Sequence, residues 1–234
     1  STMTVCYAIS ATKANRLYWL GRYVERAYTT LHLLRRYYDG MIDGDPSQYE
    51  DFYKRLDIYN DDTDPQTFHL DQLYGENNAC SLITCVERAN DNGIVLREEI
   101  KSESLSYVQM SLCTVKECAA RKENNIIALQ PVTDYLLAFF GSIDERVFDD
   151  RVRRIIKVGK LVELMDLHIR FDYPFKRVAE EFGSLQKCVE QDDHTCDPVI
   201  MQRLMELMKE EMYNVRSLNY KNVLLNYLNH LVLL

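Results

Sequence analysis

Residues 10–38 read SATKANRLYWLGRYVERAYTTLHLLRRYY, and this stretch decides the fold class. Leu17, Leu20, Gly21, Val24, Ala27, Tyr28, Leu31 and Leu34 recur three and four positions apart. That spacing lays them in one stripe along an α-helix. Ser10 stands where an N-cap hydroxyl would accept an early backbone N–H. Asp39-Gly40 is expected to begin the break after Tyr38. Gly21 is out of keeping with the rest, because a mid-helix glycine costs about 1 kcal/mol relative to Ala. Its place on the apolar face predicts that another helix crosses closely there.

The same period runs through most of the chain. Asp45-Pro46 is expected to restart a helix carrying Tyr49, Phe52, Tyr53 and Leu56, with Pro at its first position. The most polar loop is 60–65, followed by a short helix from Pro65 to Tyr74 that ends at Gly75. Asn78 is a candidate cap for a helix bearing Leu82, Ile83, Val86 and Ala89. Asp91-Asn92-Gly93 reads as a kink or a break, and Ser102 as the start of another helix. Asn124 to Gly141 reads as an apolar helix bent at Pro131. Asp149 or Asp150 opens a long helix, and residues 174–190 and 198–233 add two or three more. Nothing alternates with period two over a useful length. The expected fold is all-α, a multi-helix bundle of mostly antiparallel helices with two long motif-bearing helices. No Pro-, Gly- or Ser-rich linker divides it, so residues 1–234 form one expected domain, with 39–78 as an insertion or an elaborated crossover.

Composition narrows the chemistry. The 234 residues carry 28 Lys and Arg against 36 Asp and Glu, a formal charge of −8. Phosphate affinity comes largely from Lys and Arg, so no nucleic-acid partner is expected. The seven cysteines include no C-x-x-C pair, which argues against zinc ribbons and thioredoxin-like redox motifs. None of the five histidines follows a Glu by three, so a ferritin-like di-metal site fails its spacing test. There is no Gly-x-Ser-x-Gly and no Gly-rich phosphate loop, and no cofactor or metal is expected. Residues 1–10 show neither a basic start nor an apolar run, and the apolar stretches Tyr135–Phe140 and Leu228–Leu234 fall short of a membrane span. A cytoplasmic protein with no membrane partner is the expectation. Arg151-Val152-Arg153-Arg154 with Lys157 reads as a solvated face or an anion site. Tyr37, Tyr38, Tyr213, Tyr220 and Tyr227 read as boundary residues or the rim of a partner surface.

An internal repeat bears on function. Gly21-Arg22-Tyr23-Val24-Glu25-Arg26 and Gly159-Lys160-Leu161-Val162-Glu163-Leu164 share Gly, a base, Val and Glu at identical spacing. Glu lies four residues after Gly, on the same side of its helix. Two equivalent helices pressed together, each with a carboxylate near the contact, are the physical reading.

The segment Asn15-Arg16-Leu17-Tyr18-Trp19-Leu20-Gly21-Arg22-Tyr23-Val24-Glu25-Arg26-Ala27 closely resembles the signature of the bacterial alpha-E domain family, named for its Glu-Arg motif. Ala89-Asn90-Asp91-Asn92-Gly93, running into Leu96-Arg97-Glu98-Glu99-Ile100-Lys101-Ser102-Glu103, resembles the family's middle motif. Phe148 and the stretch Val158 to Asp166 resemble its third. The sequence departs from the pattern at Lys160, where Arg is usual, and at Leu164, which replaces the third motif's Arg. Asp91 replaces a Glu, and Leu105 stands where Trp is frequent. The resemblance implies a helical, cytoplasmic domain associated with ATP-grasp ligase-like and transglutaminase-like proteins, with inferred roles in peptide synthesis or protein modification. It implies no activity for the domain itself.

The motifs give Asn15, Tyr18, Arg22, Glu25, Arg26, Asp91, Asn92, Arg97, Glu98 and Glu163 as candidate binding residues. Three readings stand for these charges: a structural ion network, a site for a polar ligand or protein partner, or a catalytic centre acting on a small polar or peptide substrate. In the tail, Leu224, Leu225, Leu228, Leu231 and Val232 share one broad face. That face must pack in the core or against another subunit, as in a homo-oligomer through the C-terminal helix. Deleting residues 223–234 is expected to expose it and cause aggregation, and a monodisperse truncated chain in light scattering would contradict this.

Overall fold

The computed structural model describes residues 9–42, 47–56, 64–191 and 195–234. The first helix, α1, spans Ala11–Ile42. Ser10 caps it, its Oγ accepting the N–H of Lys13 at 3.2 Å. The helix runs through Asp39-Gly40 without the expected break. Its last turns are held by rings from elsewhere: Tyr37 lies edge-on to Phe52 and Phe171, and Tyr38 stacks on His69. Tertiary packing of this kind outweighs a weak local stop.

Helix α2 covers Ser47–Arg55, and Asp45-Pro46 lie outside the described residues. Helix α3 is Pro65–Tyr74, as expected, with Asp64 accepting from the N–H groups of Gln66 and Thr67. Together they bring Phe52 and Phe68 into the core. Helix α4 is Leu82–Val95. Its cap is Ser81, whose Oγ accepts the Thr84 N–H. Asn78 instead accepts from the Cys80 N–H within the preceding turn. Asp91-Asn92-Gly93 does not kink the helix, and Gly93 is simply covered by Leu105. The bend falls later, inside α5, Arg97–Ala120, where Lys101 takes a φ of 72°. Regular helix resumes at Ser102, the expected start.

Asn125 caps a 3-10 turn over Ile126–Leu129, and α6 follows as Gln130–Arg146. Pro131 therefore opens a helix rather than bending one, at a position where no N–H is needed. Asp149 caps α7, Asp150–Arg170. The remainder is α8, Phe175–Glu190, then α9, Pro198–Leu207, α10, Glu210–Asn214, and α11, Leu218–Asn229. Among the described residues the only strand-like pairing is an isolated bridge from Cys196 to Val232.

Helices α1 and α7 form the centre. Tyr18 faces Gly159, Arg26 bonds to Glu163, and Tyr37 meets Phe171. Residue numbers rise together along this contact, so the two helices run parallel. Their neighbours return antiparallel. Arg16 and Tyr23 of α1 meet Asn92 and Arg88 of α4 in reverse order, as Arg154 and His168 of α7 meet Gln191 and Glu181 beside and in α8. A parallel pair cannot be joined by a short turn, and here α2 to α6 make the connection.

Ile126–Arg146 is 21 residues long and apolar enough to cross a membrane by length and composition. A search for unbroken apolar runs misses it because polar residues are interspersed. In this fold Leu129, Val132, Leu136, Phe139 and Ile143 from this stretch are buried in the core. The tail packs inside the chain: Leu224, Leu225, Leu228 and Leu231 are buried. The Asp197 N–H donates to the Leu231 carbonyl at 2.8 Å, and the Leu233 N–H to that of Thr195 at 2.9 Å.

The two repeat glycines meet at the α1–α7 crossing. A Cβ on Gly21 would lie 2.2 Å from the Ile156 carbonyl oxygen, and one on Gly159 would lie 2.1 Å from that of Tyr18. Backbone on both sides leaves no room for a methyl group. Gly21→Ala and Gly159→Ala are each expected to destabilise by about 1–3 kcal/mol or more through overpacking, against a helix-propensity gain of about 1 kcal/mol. A Cβ on Gly141 or Gly183 would meet nothing within 4 Å, so alanine there should stabilise by up to about 1 kcal/mol. Urea midpoints of the four variants check both signs.

Candidate functional site

The crossing sets bases against carboxylates reciprocally. Arg22 follows Gly21 and donates from Nε to Glu163 Oε2 of the other helix at 2.7 Å. Lys160 follows Gly159 and places Nζ 3.6 Å from Glu25 Oε2 of the first. Each glutamate, four residues after its own glycine, thus faces the base that follows the other's glycine. Arg26 adds a second base to Glu163, at 2.6 Å through Nε and 3.1 Å through Nη2. The equivalent position on α7 is Leu164, so Glu25 has no second base. It accepts only from the Thr29 hydroxyl at 3.1 Å, and its Oε2 has no hydrogen-bond partner. Lys160 also lies 4.0 Å above the Phe140 ring.

The two glutamates are equally buried, at 2% exposure each, yet their acidities move in opposite directions. Burial raises the Glu25 pKa, and Lys160 and Thr29 only partly offset it. Burial also opposes the charge on Glu163, but the Arg26 and Arg22 guanidiniums outweigh it and hold the carboxyl below its ordinary value. The missing arginine at 164 accounts for the difference.

The Glu163 network extends away from the crossing. Arg22 donates to the Tyr18 hydroxyl at 3.4 Å and to Asn229 Oδ1 at 2.9 Å. Asn229 donates from Nδ2 to Asp166 Oδ2 at 2.7 Å, and Arg170 from Nε to Asp166 Oδ1 at 2.7 Å. All of these but Tyr18 line a cavity of about 210 Å³. Gln72, Leu56, Leu167 and Cys80 line the rest with Arg26 and Thr30. Glu25 does not reach it.

Of the sequence candidates, then, Tyr18, Arg22, Arg26 and Glu163 come together, and Glu25 sits apart beside Lys160. Asn15, Asp91 and Asn92 line a separate open groove of about 530 Å³ with Trp19, Tyr23 and Arg88. Arg16 donates to Asn92 Oδ1 there at 3.1 Å. Arg97 and Glu98 join neither site. Both are exposed, and Arg97 Nε donates to Ser102 Oγ at 3.0 Å across the bend in α5. Asp166, Arg170, Gln72 and Asn229 are additions from the structure. Asp166 and Arg170 fall three and seven residues after Glu163, the spacing of one helix face. Asn229 interrupts an apolar tail, but it is an exposed residue and its spacing does not signal that it joins the network. Gln72 carries no signal in the sequence. Among the described residues no group of three or more His, Cys, Asp or Glu side chains could hold a metal ion. Among the described residues Cys80, Cys85, Cys113, Cys118 and Cys188 are free thiols, and burial pushes Cys85 up to about 12. His194 lies outside the described residues.

Residues 10–210 match a family model described as Alpha-E, a predicted alpha-helical domain with a conserved ER motif. Glu25-Arg26 is a Glu-Arg pair within the matched residues, at the crossing of the two central helices. The chain belongs to the Alpha-E family. The match spans α1 to α9, so Asn229 enters the network from beyond the matched residues. No curated protein and no solved structure matches the chain.

Glu163→Gln is expected to cost about 3–5 kcal/mol, because it leaves two guanidiniums without their carboxylate. Glu25→Gln should stabilise at neutral pH, since it removes a buried charge with one distant partner. The pH signs also differ. Glu163, lowered in the fold, contributes fully above the ordinary pKa of about 4.3, and its contribution is lost as pH falls through the folded value. Glu25, raised in the fold, has the opposite sign: its stability is complete below the ordinary value and is lost as pH rises through the folded one. Leu164→Arg should supply the second base, turning Glu25→Gln into a loss with a coupling of about 0.5–3 kcal/mol. Urea titrations of this mutant cycle between about pH 4 and about pH 8 read each sign directly.

Proposed function

We propose that this Alpha-E chain is a non-catalytic helical module that binds or scaffolds an ATP-grasp ligase-like or transglutaminase-like protein in peptide synthesis or protein modification, in the cytoplasm. The observation that carries the non-catalytic half is the use made of the signature charges. Arg22 and Arg26 are committed to Glu163 across the helix crossing. The one motif carboxylate with a raised pKa, Glu25, is buried and lines neither the cavity beside Glu163 nor the groove of Asn15 and Asp91. A general acid or base must come within hydrogen-bond reach of its substrate, and Glu25 faces neither of these openings. The partner half follows the company implied by the family resemblance. It is supported by the open groove of Asn15, Trp19, Arg88 and Asp91, which gathers residues of two motifs on one accessible side.

The test is size-exclusion and calorimetric titration of the purified chain against an ATP-grasp ligase-like protein and a transglutaminase-like protein from the same source. A complex with one of them, weakened at least tenfold by Arg88→Glu at the groove, is the expected result. Turnover of a peptide and ATP by the isolated chain, abolished by Glu25→Gln, would replace the module reading with an enzyme.

A further inference from the structure

The basic run at the start of α7 divides between two uses. Arg151 pairs with Asp149 and Arg153 with Asp150, both close by in sequence. Arg154 and Lys157 instead line, with Lys187 of α8, an open groove of about 480 Å³. Among the described residues none of Arg154, Lys157 and Lys187 has an ion pair. The carboxylates of the groove are Asp144 and Asp150, and Asp150 is taken by Arg153. Three bases thus stand against Asp144 alone, in a chain whose formal charge is −8. Arg154 adds a second observation of another kind. Its Nε is buried without a hydrogen-bond partner. Its Nη1 reaches Gln191 Oε1 only at 3.4 Å, outside the usual range of about 2.7–3.2 Å. Buried donors in folded proteins are nearly always met, so this guanidinium is short of an acceptor. Cys188 lines the same groove. Burial raises the pKa of its thiol, while the charges of Lys157 and Arg154 both pull it down. Two of the bases therefore act on one point of the wall.

We propose that this groove is a receptor for a phosphate dianion, either inorganic phosphate or the phosphate group of a small monoester. The excess of bases over Asp144 matches a group that carries roughly −1.5 to −2 at pH 7. A monocarboxylate would leave part of the excess unmet, and a cation would add to it. The Arg154 guanidinium supplies directed N–H donors, and the two ammoniums supply compact charges on flexible stems. Bases from two helices can each meet a different oxygen of a tetrahedral anion. At about 30 Å³ per water, the groove has room for roughly sixteen waters. That leaves space beside the anion for the group esterified to it. The groove shares no residue with that of Asn15 and Asp91. Phosphate binding and partner binding can therefore fail separately in their two experiments.

Calorimetric titration of the full chain at constant ionic strength is the test, since salt screens exposed charges. The probes are inorganic phosphate and glycerol 3-phosphate at about pH 7.5, where the second phosphate proton is largely off, and acetate is the monoanion control. One saturable site per chain is expected for phosphate and none for acetate. Lys157 and Lys187 are exposed, so their variants should fold. Lys157→Gln and Lys187→Gln should each weaken phosphate binding about fivefold or more, and together about twentyfold or more. Asp144→Asn removes the opposing carboxylate and should tighten binding about threefold or more. Lys116→Gln and Lys176→Gln change the net charge equally at exposed positions outside the groove, and should alter the affinity less than about twofold. Tighter binding of the ester than of free phosphate assigns the site to phosphorylated small molecules; equal or weaker binding of the ester assigns it to inorganic phosphate. The proposal is overturned by saturable acetate binding as tight as that of phosphate, or by equal losses in the Lys116 and Lys176 controls. It is also overturned if neither phosphate gives saturable heat or raises the melting midpoint. Binding that appears only in an Asp192→Asn/Asp193→Asn chain, where the acids after Gln191 are neutral, overturns it as well.

Discussion

At the α1–α7 crossing, the Ile156 and Tyr18 carbonyls occupy the space where Cβ atoms of Gly21 and Gly159 would sit. Two parallel helices at this separation bring the residue after each glycine within reach of the glutamate four residues after the other. The ion pairs follow from the approach. Charges this deeply buried persist only where geometry is close and hydrogen bonds satisfy the remaining valences. Glu163 meets that condition with three donor contacts from two arginines.

The repeat is nearly symmetric, and its one break has consequences on both sides of the crossing. With Arg26 on α1 and Leu164 on α7, one glutamate has two bases and the other has one. Glu25 is left with an unmet oxygen and a raised pKa. On the other side, Glu163 and its two arginines line a cavity. Glu25 and Arg26 are neighbours in sequence but not an ion pair with each other. Each reaches to α7 on its own side. Glu25-Arg26 is thus two halves of two interhelical contacts.

The motif charges fasten the centre of the fold, and a cavity of about 210 Å³ lies beside them. The open groove of Asn15, Trp19, Arg88 and Asp91 adjoins it along α1, beside α4, with the Arg22 guanidinium 4.9 Å from the Trp19 ring centre. Its polar and aromatic lining suits a partner surface better than an enclosed ligand.

The sequence by itself determined the helical class, most helix positions and the close crossing. Each of these rests on local spacing or on the steric identity of single residues such as Gly21, Gly159, Ser10 and Pro65. It also placed Arg22, Glu25, Arg26 and Glu163 near one contact. Helix ends were legible only where a side chain caps its own chain. Asp39-Gly40 and Asp91-Asn92-Gly93 looked like breaks because ring stacking on Tyr37 and Tyr38, and Leu105 over Gly93, come from residues distant in sequence. Only the tertiary structure decided that α1 and α7 run parallel, that Arg97 and Glu98 stand apart, that Asn229 joins the network and that Gln72 lines the cavity beside it. A cavity is enclosed by several segments at once. No periodicity along one of them carries the position of the others.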